Sequence, residues 1–334
     1  MAVDAGSVPA PAQAKERGAA RHPWLGVLSM AARTPRGAVG LTLASLIVLV
    51  AIIGPLVSPG SPDALATVTF AKPSGQFPLG SDFLGRDVLS RVLNGGWELL
   101  LMAAAATAFG IIVGTAAGVS AAYRRGRADG FIMRTVDVIL AFPQLVFALL
   151  LVSILGPARW LLVLAVGISH VPQVARVMRA AALDVSERDF VKAVEITGVR
   201  QSRLMAGEIL PNLLTPLMVE AGLRLTYSIV IMTGLSFIGF GLQPPAPNWG
   251  YMINENRIIL TTNPWAVVAP AILIAVLTVG LNTFTDAIAR VALGIEGGEV
   301  VYILPGHRTQ EQPLRFQQGH VSFSFQAGMS FDLR

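Results

Sequence analysis

Apolar residues gather along this chain in long runs, and polar residues gather between them. The first run, Gly37 to Val57, is followed by Trp97 to Tyr123, Val138 to Leu155, Trp160 to Val177, Leu213 to Gly241 and Trp265 to Thr285. At 1.5 Å of rise per residue, about 20 helical residues cross about 30 Å of hydrocarbon. Each run predicts a spanning helix, the third continuing one that starts near Phe131 and the fourth containing Pro172. Lipid offers the backbone no hydrogen-bond partner, so helices are the natural reading, and the alternation of a membrane β-barrel is absent. The expectation is an all-α membrane protein with six transmembrane helices.

Composition supports this. The 334 residues are 53% hydrophobic and 13% charged, with a mean hydropathy of +0.62. Soluble domains carry about 25% charged residues, so too little charge is present to cover a globular surface. Residues 1–23 lack an apolar core followed by a small-residue cleavage site, and the first span is expected to stay as an anchor. The net charge of +5 raises nucleic acid as a partner, but the arginines flank apolar runs and are better explained by membrane orientation. Nineteen Lys and Arg, including Arg33, Arg36, Arg124, Arg127, Lys192 and Arg290, fall on one side; Lys72, Arg86, Arg91, Arg159 and Arg257 fall on the other. The positive-inside bias places both termini in the cytoplasm, with tails at 1–36 and 296–334 around a permease-like region at 37–295. There are no cysteines, hence no disulfides or thiolate metal sites.

A long polar stretch between two of the spans reads FVKAVEITGVRQSRLMAGEILPN, Phe190 to Asn212. Ser186 to Asp189 has the form of a capping box and predicts a helix start. Phe190, Val191, Val194 and Thr197 then fall on one mostly apolar face, Gly198 suits a left-handed helix stop, and Arg200 to Leu210 forms a second helix halted near Pro211. A connector needs only a few residues. Two short helices with an apolar stripe and no bilayer to bury it point to a cytoplasmic protein partner.

The spacing of Ala193, Gly198 and Ile209-Leu210-Pro211-Asn212 resembles the coupling loop of permease subunits in ABC importers. The stretches PLGSDFLGRDVLSRVLNG (Pro78 to Gly95), DGFIMRTVDVILAFPQLVFALL (Asp129 to Leu150) and LSFIGFGLQPPAPNWGYMI (Leu235 to Ile253) resemble the dipeptide, oligopeptide and nickel family, its C-type permeases in particular. Lys192-Ala193-Val194 stands where the family usually has Glu-Ala-Ala, and Glu208 where it usually has His or a similar residue.

The resemblance implies a type I ABC importer permease architecture. It also implies a helix at about Asp189 to Thr197 seated in an ATP-binding subunit, with Asp189, Phe190, Lys192, Ala193, Val194, Gly198, Glu208, Leu210, Pro211 and Asn212 in the coupling loop. The implied partners are a second homologous permease, two ATP-binding subunits that use ATP and Mg, and an extracytoplasmic solute-binding protein; the chain itself binds no cofactor. A peptide importer is the leading reading. A nickel or other small-solute importer, and a membrane enzyme or channel of another class, are the alternatives.

The remaining chemistry is sparse. No phosphate-binding Gly-x-x-x-x-Gly-Lys-Ser/Thr occurs, and His22, His170, His307 and His320 show no ligand spacing. His170 reads best as a packed or hydrogen-bonded helix residue. Glu220 and Arg224 stand i, i+4 within a span, and a mutually neutralising pair is the simpler account than gating. Outside, Gly80 and Ser81 predict a turn, then an amphipathic helix with Val88, Leu89 and Val92 on its apolar side, lying on the membrane or against the binding protein. Asp82, Arg86, Asp87 and Arg91, with Pro244, Pro245 and Trp249 of a rigid extended cap, are candidates for an outer gate or dock, Trp249 and Tyr251 as interface aromatics. VSFSF near the end alternates like a strand without an evident partner.

Overall fold

The computed structural model describes residues 23–65, 68–242, 244–296, 299–300, 321–324 and 330–333. Helix α1 (Pro23–Arg33) precedes α2 (Pro35–Val57), α3 (Val88–Asn94) and α4 (Trp97–Arg124). Then come α5 (Gly126–Leu140), α6 (Gln144–Leu155), α7 (Arg159–Ser186) and α8 (Asp189–Ile196). Next are α9 (Gln201–Leu204), a π-turn at Met205–Ile209, α10 (Leu210–Asn212), α11 (Leu214–Ile238), α12 (Trp249–Asn256) and α13 (Trp265–Ala292).

The helices α2, α4, α7, α11 and α13 are each long and apolar enough to span a membrane. The third expected span differs. It is two helices, α5 and α6, bent by 87°. Proline explains the break: Pro143 lacks an amide hydrogen and disfavours helical geometry in the residue before it, and it is itself extended at ψ 131°. Helix α1 was not expected from sequence; Thr34 separates it from α2, its hydroxyl accepting from the Gly37 amide at 3.0 Å.

The centre of the bundle is the seam between α4 and α7. These helices run parallel, with Glu98 paired to Arg159 at one end and Arg125 to Glu187 at the other. Gly110, Gly114 and Gly118 recur every fourth residue and share one face of α4. They sit against His170, Val174 and the Ala175–Met178 turn, and a Cβ at Gly114 would lie 2.6 Å from Val174 Cβ. A second close crossing joins α2 to α13 at Gly40 and Gly280. The main core, from Ile47 through Leu99, Val166 and Leu235 to Leu277, lies among these helices.

VSFSF has a backbone partner after all, since Val321–Ser324 pairs antiparallel with Ser330–Leu333. The expected terminal tails otherwise fall largely outside the described residues, as do His22, His307 and His320.

The seam gives a direct prediction. Gly114→Val puts a branched side chain where none fits and should cost about 1–3 kcal/mol. Gly26→Ala, with nothing within 4 Å, should be neutral or stabilising. Thermal unfolding in detergent should separate the two, and equal midpoints would contradict the seam.

Candidate functional site

Helix α7 continues past Val177, the expected end of its span, to Ser186, so Arg179 is helical. The capping box does not form: Ser186 Oγ donates to Leu183 O within α7, and α8 begins after an extended Arg188 with no side-chain cap. Gly198 is left-handed at φ +77°, and its amide donates to Glu195 O at 3.0 Å. Beyond it the chain is helical almost without interruption to Asn212. Pro211 sits inside this run rather than ending it: the π-turn precedes it, and Asn212 Nδ2 donates to the freed turn at Glu208 O.

The single apolar face expected on α8 is split. Val191 is fully buried and Val194 half-buried in a cluster with Val119, Ala122, Val185, Leu204, Ile209 and Leu213. Phe190 is 40% exposed and Ile196 87% exposed, and Asp189, Lys192 and Ala193 are also exposed. Tyr123 at the end of α4 donates its hydroxyl to Glu195 Oε1 at 3.0 Å. The inner face of α8 is thus fastened to α4 and α7, while its outer face carries large apolar groups. Leu210, Pro211 and Asn212 are exposed nearby and Glu208 half-buried.

Within the bundle, a chain of polar side chains links α6, α7, α11 and α4. Gln144 Nε2 donates to His170 Nδ1 at 2.6 Å. His170 Nε2, carrying the proton in that tautomer, reaches Ser228 Oγ at 2.8 Å, which lies 2.9 Å from Thr107 Oγ1. His170 is fully buried, as a hydrogen-bonded helix residue should be. Arg224 Nε donates to Glu220 Oε2 at 3.0 Å, and its guanidinium lies 5.2 Å from the Tyr227 ring centre. Asp137 accepts from Arg176 at 2.6 Å, and Asp129 holds Arg179 through two 2.6 Å bonds. Such pairs between helices leave no spacing signal in a single sequence.

At the Trp97 end of the bundle the expected surface elements are interior. Asp82, Arg86, Arg91 and Glu255 form a buried cluster in which Arg91 is 0% exposed. Arg86 Nε donates to Asp82 Oδ2 at 2.7 Å, and Arg86 Nη2 forms an ion pair with Glu255 Oε1 at 2.6 Å. Arg91 Nη2 donates to Glu255 Oε2 at 3.2 Å, and Arg91 Nε lies 3.5 Å from Asp82 Oδ2. Burial works against the Arg86 charge, yet the Glu255 and Asp82 carboxylates outweigh it and hold its pKa above the ordinary arginine value.

Asp87 caps α3 through the Leu89 and Ser90 amides. The expected amphipathic surface helix is therefore corrected: α3 buries Ser90 and Arg91 as well as Val88 and Val92. Trp249 is corrected too. It is no interface aromatic but a wedge over Gly95 and Gly96, with its indole donating to Val92 O at 2.8 Å. Buried Asp82, Arg86, Arg91 and Trp249 offer a docking protein no surface, whereas Pro244 and Pro245 are exposed. Glu255, on a helix that sequence analysis did not anticipate, completes the cluster.

A predominantly helical, multi-span subunit with a short helix pair fastened beyond its spans has the architecture of a type I ABC importer permease. Residues 82–292 match the binding-protein-dependent transport system inner membrane component family, and the chain belongs to it. It is 31% identical over 267 residues to the dipeptide transport system permease protein DppC of Alkalihalophilus pseudofirmus, covering 80% of this chain and 88% of that protein. It is 36% identical over 256 residues to the di/tripeptide transport system permease protein DppC of Pseudomonas aeruginosa, covering 75% and 84%. A solved inward-facing structure of the MetNI methionine ABC transporter shares the fold, with a TM-score of 0.50 at 18% identity over 60% of this chain and 96% of that one. The chain is thus a multi-pass membrane permease of an ABC importer.

The buried cluster is testable as a unit. Arg91→Met leaves two buried carboxylates facing one cation and should cost about 3–5 kcal/mol. Arg91→Met combined with Glu255→Gln should recover part of that loss in chemical unfolding. Additive losses in the double variant would contradict the coupling.

Proposed function

We propose that this chain forms part of the translocation path of an ATP-driven importer of short peptides in a bacterial cytoplasmic membrane, with both termini in the cytoplasm. The substrate class rests on the relatives, which are named for dipeptide and di/tripeptide transport, and the orientation on the Lys and Arg bias. The permease region at 37–295 pairs with a second homologous permease, and an apolar groove of about 460 Å³ lined by Ile112, Thr115, Met205 and Leu217 is a surface suited to such a neighbour. Two ATP-binding subunits use ATP and Mg. This chain binds neither, catalyses nothing itself and makes no use of nucleic acid.

The observation that carries the reading is the two-faced α8. Its inner face is clamped by Val191 and by the Tyr123–Glu195 bond, so a push on its outer face is passed to α4 and α7. Phe190 and Ile196 face outward beyond the spans. Burying each in a groove of an ATP-binding subunit contributes about 1.5–3 kcal/mol. Gly198, Glu208 and the Leu210-Pro211-Asn212 turn set the exit of this loop. Exposed Pro244 and Pro245 form part of the dock for the binding protein, and the Asp82, Arg86, Asp87, Arg91 and Trp249 assembly holds that dock in place. Glu220 and Arg224 neutralise one another inside the bundle.

Phe190→Asp puts a charge into the proposed groove. It should abolish ATP-dependent dipeptide uptake and recovery of the ATP-binding subunits with the purified complex, while the protein still inserts. Normal uptake and recovery would remove α8 from coupling. Orientation is checked separately in intact cells. Single cysteines at Ser74 and Ile258 should react with an impermeant maleimide, and those at Arg127 and Ser202 should not. External labelling of Ser202 would reverse the topology.

A further inference from the structure

Gly126 and Leu155 bracket a crossing that the bent pair α5 and α6 must make. Helices α4 and α7 run in the same direction through the bundle, so the chain leaving α4 at Arg124 has to return to the Arg159 end before α7 can begin. The 12 residues of α6 cover about 18 Å at helical rise, short of the roughly 30 Å core. With an 87° bend, α5 adds little depth. The depth of the break follows from its partners. Gln144 sits beside Ser169 and His170, about 16 Å along α7 from Arg159, and Asp137 sits beside Arg176, about 26 Å along. Counted from Arg159, residues 141–143 therefore fall between these levels, within the roughly 30 Å that a span covers.

That segment is not covered by its own chain. Ala141 and Pro143 are exposed, and Phe142 is 50% exposed. Ala141 and Phe142 still donate to Asp137 O and Ile139 O at the end of α5, but the first amides of α6 have no helical acceptor, and no side chain caps α6. The Asp137–Arg176 ion pair, also exposed, borders the same break. Irregular backbone at this depth is tolerated only where it is buried in protein or faces water, and exposed ions in hydrocarbon are costly. Lipid is thereby excluded as the neighbour of this face. The inward side of the break is held firmly, because Gln144 ties α6 to α7 and, through His170 and Ser228, to α11 and α4.

We infer that the break at residues 141–143 is a wall of the water-filled translocation path, with Phe142 presented to the passing solute. This deepens the permease reading and rests on it. An ion pair beside the break favours water over a dry subunit contact, since a carboxylate and a guanidinium that are each 60% exposed would otherwise have to lose their hydration.

The chain has no native cysteine, so accessibility can be read one position at a time in the full complex with its ATP-binding and permease partners. Phe142→Cys and Ala141→Cys should react with a cationic methanethiosulfonate at least tenfold faster than Ile154→Cys, which lies on the outward apolar face of α6 at 72% exposure. The Phe142→Cys rate should change between nucleotide-free and ATP-bound states, and the adduct should lower uptake of dipeptide. Protection of both positions in every state means that lipid or a neighbouring subunit covers the break, and overturns the inference. Fast reaction with no effect of the adduct on uptake also overturns it. Uptake before labelling is scored independently: intact uptake with a protected break defeats only this inference, whereas a complex that never takes up dipeptide defeats the peptide-import reading instead.

Discussion

The glycine seam between α4 and α7 is the contact on which the rest of the molecule depends. Removing three side chains from one face of α4 lets two backbones approach to a distance that no Cβ would allow. In lipid, where burial of apolar surface gives little drive for helices to associate, such close packing is a principal source of attraction. The consequence is directional. Two parallel helices joined along their length carry their ends as one body, and those ends hold α8 through Val191 and Tyr123. A displacement of α8 is therefore delivered to the centre of the bundle rather than absorbed in a loop.

The opposite end is built by a different interaction. Asp82, Arg86, Arg91 and Glu255 are charges taken out of water, and each is tolerable only because the others are present. They join the segment before α4 to α12, and Trp249 fills the gap left by Gly95 and Gly96. Asn256 accepts from the Phe83 amide and Asn263 donates to Leu79 O, extending the same junction. The two segments form one cap, seated on the spans whose opposite ends carry α8.

Much of this was legible in the sequence, for identifiable reasons. Five spans declared themselves through continuous apolar length, a signal that needs no tertiary context. The Glu220–Arg224 pair was visible because i, i+4 spacing is local. The break within the third span was not anticipated because the apolar run from Val138 to Leu155 continues through Pro143, and length outweighed the proline. Elsewhere Pro55, Pro172 and Pro270 do lie inside helices, so a proline alone does not decide. The outer arginines looked like surface charge because their partner, Glu255, is 164 residues from Arg91. Ser186 matched a capping pattern but was claimed by the longer α7. The face of α8 was split by tertiary packing that periodicity alone does not reveal.

The central claim is that α8 is the point at which ATP-binding subunits act on this bundle. Hydrogen–deuterium exchange of the full chain, with and without its ATP-binding partners in the same detergent, tests it most directly. Amides of residues 189–198 should gain protection on assembly, beyond any change at the outer cap around Asp82 and Glu255. Unchanged exchange across 189–198, with protection appearing at another cytoplasmic segment, would contradict the account.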